Sequence, residues 1–191
     1  MICFVEQYVY LGNVLDNTLT LSKNFDRAYK RASSRLRLLK NVRSYLNTDS
    51  ATKIYNMMIL PLLTYAGPIK SVFTKTQIQH LNSLHRRANV VTGNKLLKSP
   101  VNEITLQNCL LVRKCLEMKT NSYIFDNYFK MKIHKHNTRN NNKSLELPKV
   151  KLEKGRQSFY FQGSKIYNNL PIYVRSSERF SEFKLLISKH F

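Results

Sequence analysis

Acidic residues are scarce. Asp and Glu number 11 in 191 residues, and no two are adjacent. Metal-dependent phosphoryl transfer needs clustered carboxylates to hold two cations about 3.5–4 Å apart. The scatter therefore argues against a nucleotidyl-transfer site within these residues; Asp16, Asp26 and Asp49 could converge only by folding, and Asp26 reads as a helix-start residue. Cysteine is also rare: Cys3, Cys109 and Cys115 make an odd count without framework spacing, and read as reduced thiols of an intracellular protein. Cys109 reads as a buried thiol rather than a nucleophile. Structural zinc sites need closer cysteines, or histidines three to five apart. Cys109 and Cys115 do not fit that pattern, nor do His134 and His136, while His80 and His85 leave a helix on different sides. No metal site and no cofactor is expected, and neither a glycine-rich phosphate loop nor a Gly-x-Ser-x-Gly turn is present. Long apolar runs are missing too. The longest, Met57 to Ala66, is interrupted by Pro61 and Thr64 and falls short of the ~20 residues of a membrane span. The opening Met1-Ile2-Cys3-Phe4-Val5-Glu6 lacks a basic region and meets an acid too early for a secretory signal. The expectation is no membrane partner and a place in the nucleus or cytoplasm.

What the chain has in excess is positive charge. Lys and Arg number 32, for a formal net charge of +21. Such a surface repels itself, and a polyanion, most commonly nucleic acid, is its natural partner. Hydrophobic residues make up 42%, enough for a core. The length suits one ordinary domain or two small ones.

Tyr8-Val-Tyr-Leu-Gly-Asn-Val-Leu-Asp16 reads as strand, tight bend, strand, although two strands alone are marginal in water. From Leu21, apolar residues recur at Phe25, Ala28, Ala32, Leu36, Leu39, Val42 and Leu46, which is one face of a helix. Ser22 is placed to cap it and Asp26 to suit the positive end of its dipole. The opposite face carries Lys23, Arg27, Lys30, Arg31 and Arg37. Like charges at i, i+4, as in Lys23 with Arg27 and Arg27 with Arg31, destabilise a helix. Phosphate contact explains their presence, and a plain solvated face explains it equally well. Arg35 falls nearer the border of the stripe. A second helix starts near Thr48 or Asp49 and runs through Ile54, Tyr55, Met58 and Leu62. Its apolar residues lie nearly all round, which predicts burial. Met57-Met58 should fill gaps in the core, and Pro61 should kink or break the helix. Thr74 with Gln77 forms a capping box for a third helix with the stripe Ile78, Leu81, Leu84, Ala88, Val91, closed by Gly93. Ser99-Pro100 opens a further helical region, continuing with interruptions to about Phe129. His134 to Lys143 reads as a polar loop. Leu145–Leu152 and Gln157–Phe161, joined at Glu153-Lys-Gly155-Arg, suggest a second hairpin. A short helix at Ile166–Leu170 and a last one carrying Phe180, Phe183 and Ile187 complete the chain.

Several of these stretches resemble the C-terminal part of non-LTR (LINE-type) retrotransposon reverse transcriptases. Tyr8 to Asp16 is similar to the segment that closes the palm. Ala32-Ser-Ser-Arg-Leu-Arg-Leu-Leu39 and Lys53 to Gly67 are similar to the family's thumb helices. His136-Asn-Thr-Arg139, Leu147-Pro-Lys-Val150, Phe159-Tyr-Phe161-Gln-Gly163, Asn169-Leu-Pro171 and Phe180-Ser-Glu-Phe-Lys184 follow in the family's order. Tyr167 departs from the usual Trp, and Gly93 to Tyr128 matches only loosely. The resemblance implies that the fingers and most of the palm, with the Tyr-x-Asp-Asp-type catalytic turn, would lie upstream of Met1. It also implies a grip on the primer by Tyr10, Leu11 and Gly12, where packing of an edge hairpin on its own helices is the plain alternative. His136, Thr138 and Arg139 would be a C-terminal motif, or simply a capped polar loop.

The expected fold is mainly α, a helical thumb-like bundle with a short β-hairpin at the N-terminus and another in the C-terminal region. The expected segments are 1–19 for the palm-like hairpin, 20–93 for the thumb-like helices, 94–133 for a helical connection and 134–191 for the second hairpin with helices. The expected role is binding of RNA, DNA or an RNA–DNA hybrid, alongside a palm and fingers segment, without catalysis by this chain alone. A basic protein-interaction module is the rival class.

Overall fold

A computed structural model describes residues 6–17, 21–68, 73–117, 129–132 and 143–191. It is mainly helical with a two-stranded antiparallel hairpin at the N-terminus. The described residues fall into two compact units, one drawn from 1–66 and 73–101, the other from 67–72 and 102–191.

In the first unit, β1 (Gln7–Tyr10) pairs with β2 (Asn13–Asp16), with Tyr8 opposite Leu15 and Val9 opposite Val14. The two-residue turn has positive φ at both positions, 46° at Leu11 and 78° at Gly12. That geometry twists with the strands, but it is strained for leucine. The Tyr65 hydroxyl donates to the Leu11 carbonyl at 2.7 Å and holds the turn. Asn13 is buried, and its side-chain oxygen accepts from Asn24 Nδ2 at 3.1 Å. The hairpin is thus tied to the helix that follows it. Its outer strand is not covered: Tyr8, Val9, Tyr10 and Leu11 are all more than half exposed.

Helix α1 (Ser22–Asn41) buries Phe25, Ala32, Leu36 and Leu39, as the stripe requires. Two expectations at its ends need correction. Ser22 is the first helical residue, not the cap, because Phe25 N–H already donates to the Leu21 carbonyl at 3.0 Å. The stripe also does not stay helical to Leu46: α1 stops at Asn41 and Arg43–Tyr45 tightens into a 3-10 turn. Arg43 turns inward there, donating from Nε to the Val91 carbonyl at 2.8 Å.

Helix α2 (Thr48–Ile54) starts from Asn47, whose side chain accepts from Ser50 N–H. It runs into a π turn (Tyr55–Ile59) and then α3 (Leu60–Thr64). Pro61 has no N–H, and its ring would strike the carbonyl four residues back in a regular helix. The backbone widens instead, and Leu60 N–H donates five residues back to Tyr55 O. Ala51, Tyr55, Ile59 and Leu63, four apart, form one buried face. The segment is therefore not buried all round, and Met57 and Met58 do not fill the core. They lie on the other side, 77% and 51% exposed. Helix α4 (Lys75–Thr92) has the expected capping box at Thr74 and Gln77 and ends at Gly93 with φ 73°. Its Leu81, Leu84 and Ala88 close the core with α1 and the α2–α3 segment.

Helix α5 (Pro100–Glu117) begins at the expected proline and contributes Cys109 and Val112 to the core of the second unit. The rest of that unit is α6 (Glu153–Arg156), α7 (Phe159–Asn168), α8 (Ile172–Arg175) and α9 (Phe180–His190). The second hairpin is not formed by the residues expected to form it. Gln157–Phe161 enters a helix, because the Ser158 side chain accepts from Phe161 N–H and caps α7. Gly163, Ser164 and Tyr167 then fall on one buried helical face. A Cβ at Gly163 would sit 2.9 Å from Val112 Cγ2, so glycine permits the close approach of α7 to α5. Leu145 pairs with Met131 in an isolated bridge. The Asn168 side chain completes that bridge, accepting from Leu145 N–H at 2.7 Å and donating to its carbonyl at 2.9 Å.

Candidate nucleic-acid interface

With 3.6 residues per turn, Lys23, Arg27, Lys30 and Arg37 fall within an arc of about 80°, and Arg31 about 40° beyond Arg27. The row extends about 21 Å along α1. All five side chains are exposed. Among the described residues none of them enters an ion pair; the pairs present are Lys53–Asp49, Arg113–Glu117 and Arg156–Glu153. The like-charge pairs along α1 thus keep their cost of about 0.2–0.5 kcal/mol each.

Other arginines are committed to the fold. Arg35 donates to the Met58 carbonyl in the π turn at 2.7 Å. Arg43 ties the end of α1 to the end of α4. In the second unit, Arg113 is buried, pairs with Glu117 at 2.7 Å, donates to the Ser177 carbonyl at 2.8 Å and lies over the Phe183 ring. Arg175, also buried, donates to the Leu170 carbonyl at 2.9 Å and the Ser144 hydroxyl at 2.8 Å.

Sequence reasoning missed three cations that join Arg37. Arg37 and Lys40 of α1 and Arg86 and Arg87 of α4 line a groove of about 490 Å³ whose apolar lining is the buried Leu36, the half-buried Val91 and, at its edge, the exposed Val90. Arg87 Nη2 donates to the Tyr29 hydroxyl at 3.1 Å. The dibasic Arg86-Arg87 step was visible as sequence; its position opposite α1 was not.

Tyr10, Leu11 and Gly12 stand at the exposed tip of the hairpin, where the Tyr65 hydroxyl holds the Leu11 carbonyl, and β2 is tied to α1 by the Asn13–Asn24 hydrogen bond. His136, Thr138 and Arg139 lie outside the described residues. Burial pushes the Cys109 thiol up to about 12, and it also raises Cys115, so neither is a ready nucleophile. Burial lowers His85. Among the described residues no three His, Cys, Asp or Glu side chains come together to hold a metal, and no helix is long and apolar enough to cross a membrane.

No family model, curated protein or solved structure matches this chain.

Proposed function

We propose that this chain holds the phosphate backbone of a nucleic acid (RNA, DNA or an RNA–DNA hybrid) through the outward face of α1. In this reading it is the nucleic-acid-holding part of a reverse-transcriptase-like protein of the non-LTR retrotransposon kind, acting in the nucleus or cytoplasm and catalysing nothing by itself. The observation that carries the reading is the row of Lys23, Arg27, Lys30, Arg31 and Arg37, exposed and without an ion pair among the described residues, on a chain of net charge +21. A helix that keeps like-charged neighbours four residues apart gains when phosphates bind along that face. The sequence likeness to the thumb region supplies the rest of the reading.

The test is a salt titration against a labelled RNA–DNA hybrid, comparing wild type with Lys30→Gln/Arg31→Gln. Each phosphate contact contributes about −0.9 to the slope of log K against log salt. The double variant should therefore bind many sequences more weakly and lose about 1.8 of slope, with unchanged circular dichroism. An unchanged slope in a folded variant would leave these residues as a solvated face.

A protein-interaction module is the second reading, favoured by the exposed Tyr8, Val9, Tyr10 and Leu11 on an open strand edge. Apolar docking there would persist at high salt, whereas phosphate binding would not.

A further inference from the structure

The groove between α1 and α4 differs in chemistry from the outer face of α1. Its floor is aliphatic and its rim cationic. A duplex backbone has no apolar wedge with which to fill such a floor. Unpaired bases are held by stacking on aromatic rings, and among the described residues no aromatic ring lines this groove. The complementary ligand is an apolar side chain flanked by carboxylates. Three features prepare the groove for it. Val90 stands 83% exposed among four cations. Arg87 is already oriented by the Tyr29 hydroxyl. The buried Ser33 hydroxyl, on the groove wall, has no hydrogen-bond partner among the described residues. The charge pattern also says what the occupant is not. Within these 191 residues the acids at helical spacing beside aromatics, Glu178 and Glu182, stand in a segment whose Phe183 is buried in the core of the second unit, and a second copy at +21 would be repelled.

We infer that the α1–α4 groove docks an acidic amphipathic segment of a different protein. One or two large aliphatic or aromatic side chains of that segment enter over Val90 and Val91, and its Asp and Glu side chains meet Arg37, Lys40, Arg86 and Arg87. Bidentate carboxylate pairing on guanidinium sets orientation, and apolar anchors three or four residues apart set register. Only Arg37 is shared with the nucleic-acid reading, so the two stand or fall separately.

The experiment selects a display library of random peptides about four helical turns long on the full chain. Selection is at about 0.3 M salt, where non-specific attraction is screened, with counter-selection on Val90→Asp. Val90 is exposed, so the substitution leaves the core intact; should it fail to fold, Val90→Ser takes its place. The expected result is enrichment of peptides pairing Leu or Phe with Asp or Glu at helical spacing. They should bind wild type about tenfold more tightly than the variant, while Val90→Ser, which adds no charge beside Arg37, should leave the hybrid salt slope unchanged. Failure to enrich, or selected peptides that bind the variant equally well, would overturn the inference. So would a labelled single-stranded RNA that displaces the peptides and is itself weakened about tenfold by the uncharged Val90→Ser, because the groove would then be a nucleic-acid subsite.

Discussion

Replacing Arg43 by Met keeps an unbranched apolar stem and removes the guanidinium. In the native chain Nε donates to the Val91 carbonyl at 2.8 Å, Nη2 to the Thr92 carbonyl at 3.2 Å, and Nη1 to the Leu46 carbonyl. A further contact with the Thr48 hydroxyl at 3.2 Å is exposed and adds little. Val91 and Thr92 sit in the last turn of α4, where helical carbonyls have no N–H partner of their own. The cation also lies at the negative end of the α4 dipole. Hydrogen bonds from charged donors contribute about 1.5–3 kcal/mol each when well buried. Partial exposure here reduces that to about 1 kcal/mol for each of the three part-buried bonds, so Arg43→Met should destabilise the first unit by about 3 kcal/mol. At about 4–8 °C per kcal/mol for a unit of under about 100 residues, its melting transition should fall by roughly 12–24 °C. Urea and thermal unfolding followed by circular dichroism measure the loss, and the hybrid salt titration runs alongside. Arg37→Met, on the exposed face, should do the reverse: stability within about 0.5 kcal/mol and a slope reduced by about 0.9. Arg43→Met with wild-type stability would refute the brace, because water would be satisfying the same carbonyls. Arg43→Met with a reduced salt slope would make Arg43 a phosphate ligand instead.

Asn168→Ala removes both bonds to the Leu145 backbone and should cost the second unit about 2 kcal/mol; hydrogen exchange should show faster loss of protection at the Leu145 amide than at α5. Cys109 should resist alkylation near pH 8 until the chain unfolds, since its buried thiol stays protonated. Because its folded value is raised from 9.0 to about 12, the associated stability is fully present below pH 9 and lost as pH rises toward 12. A Cys109→Ala variant should lack that part of the alkaline loss, and an identical alkaline profile in the variant would count against the assignment.

Several interactions spanning four residues or fewer were legible in the sequence. The Thr74–Gln77 capping box, Gly93 at the end of α4, Pro100 at the start of α5 and the buried stripe of α1 all follow from hydrogen bonds and side-chain directions within a turn or two of helix. The hairpin was legible for the same reason: Leu11-Gly12 between two alternating runs is a local signal. Phe159-Tyr-Phe161 was misread because aromatic residues favour strands in the absence of competing signals. The Ser158 cap and the packing of Gly163 and Tyr167 supplied stronger ones. Met57 and Met58 were misassigned because the π turn before Pro61 rotates the helix face, and hydrophobic periodicity carries no mark of that rotation.

The sequence by itself determined the excess of cations, the shortage of clustered acids, the helical stripes and their caps. These are sums over residues or contacts between near neighbours, and they do not depend on where distant segments meet. Only the tertiary structure decided what each cation does. Arg37 and Arg43 are six residues apart at the same end of one helical stretch, and their types are identical. One faces solvent at the mouth of a groove; the other reaches carbonyls 48 and 49 residues away. A guanidinium takes its role from the partner at its tip, and that partner is brought there by the packing of α4 on α1, which no local pattern encodes.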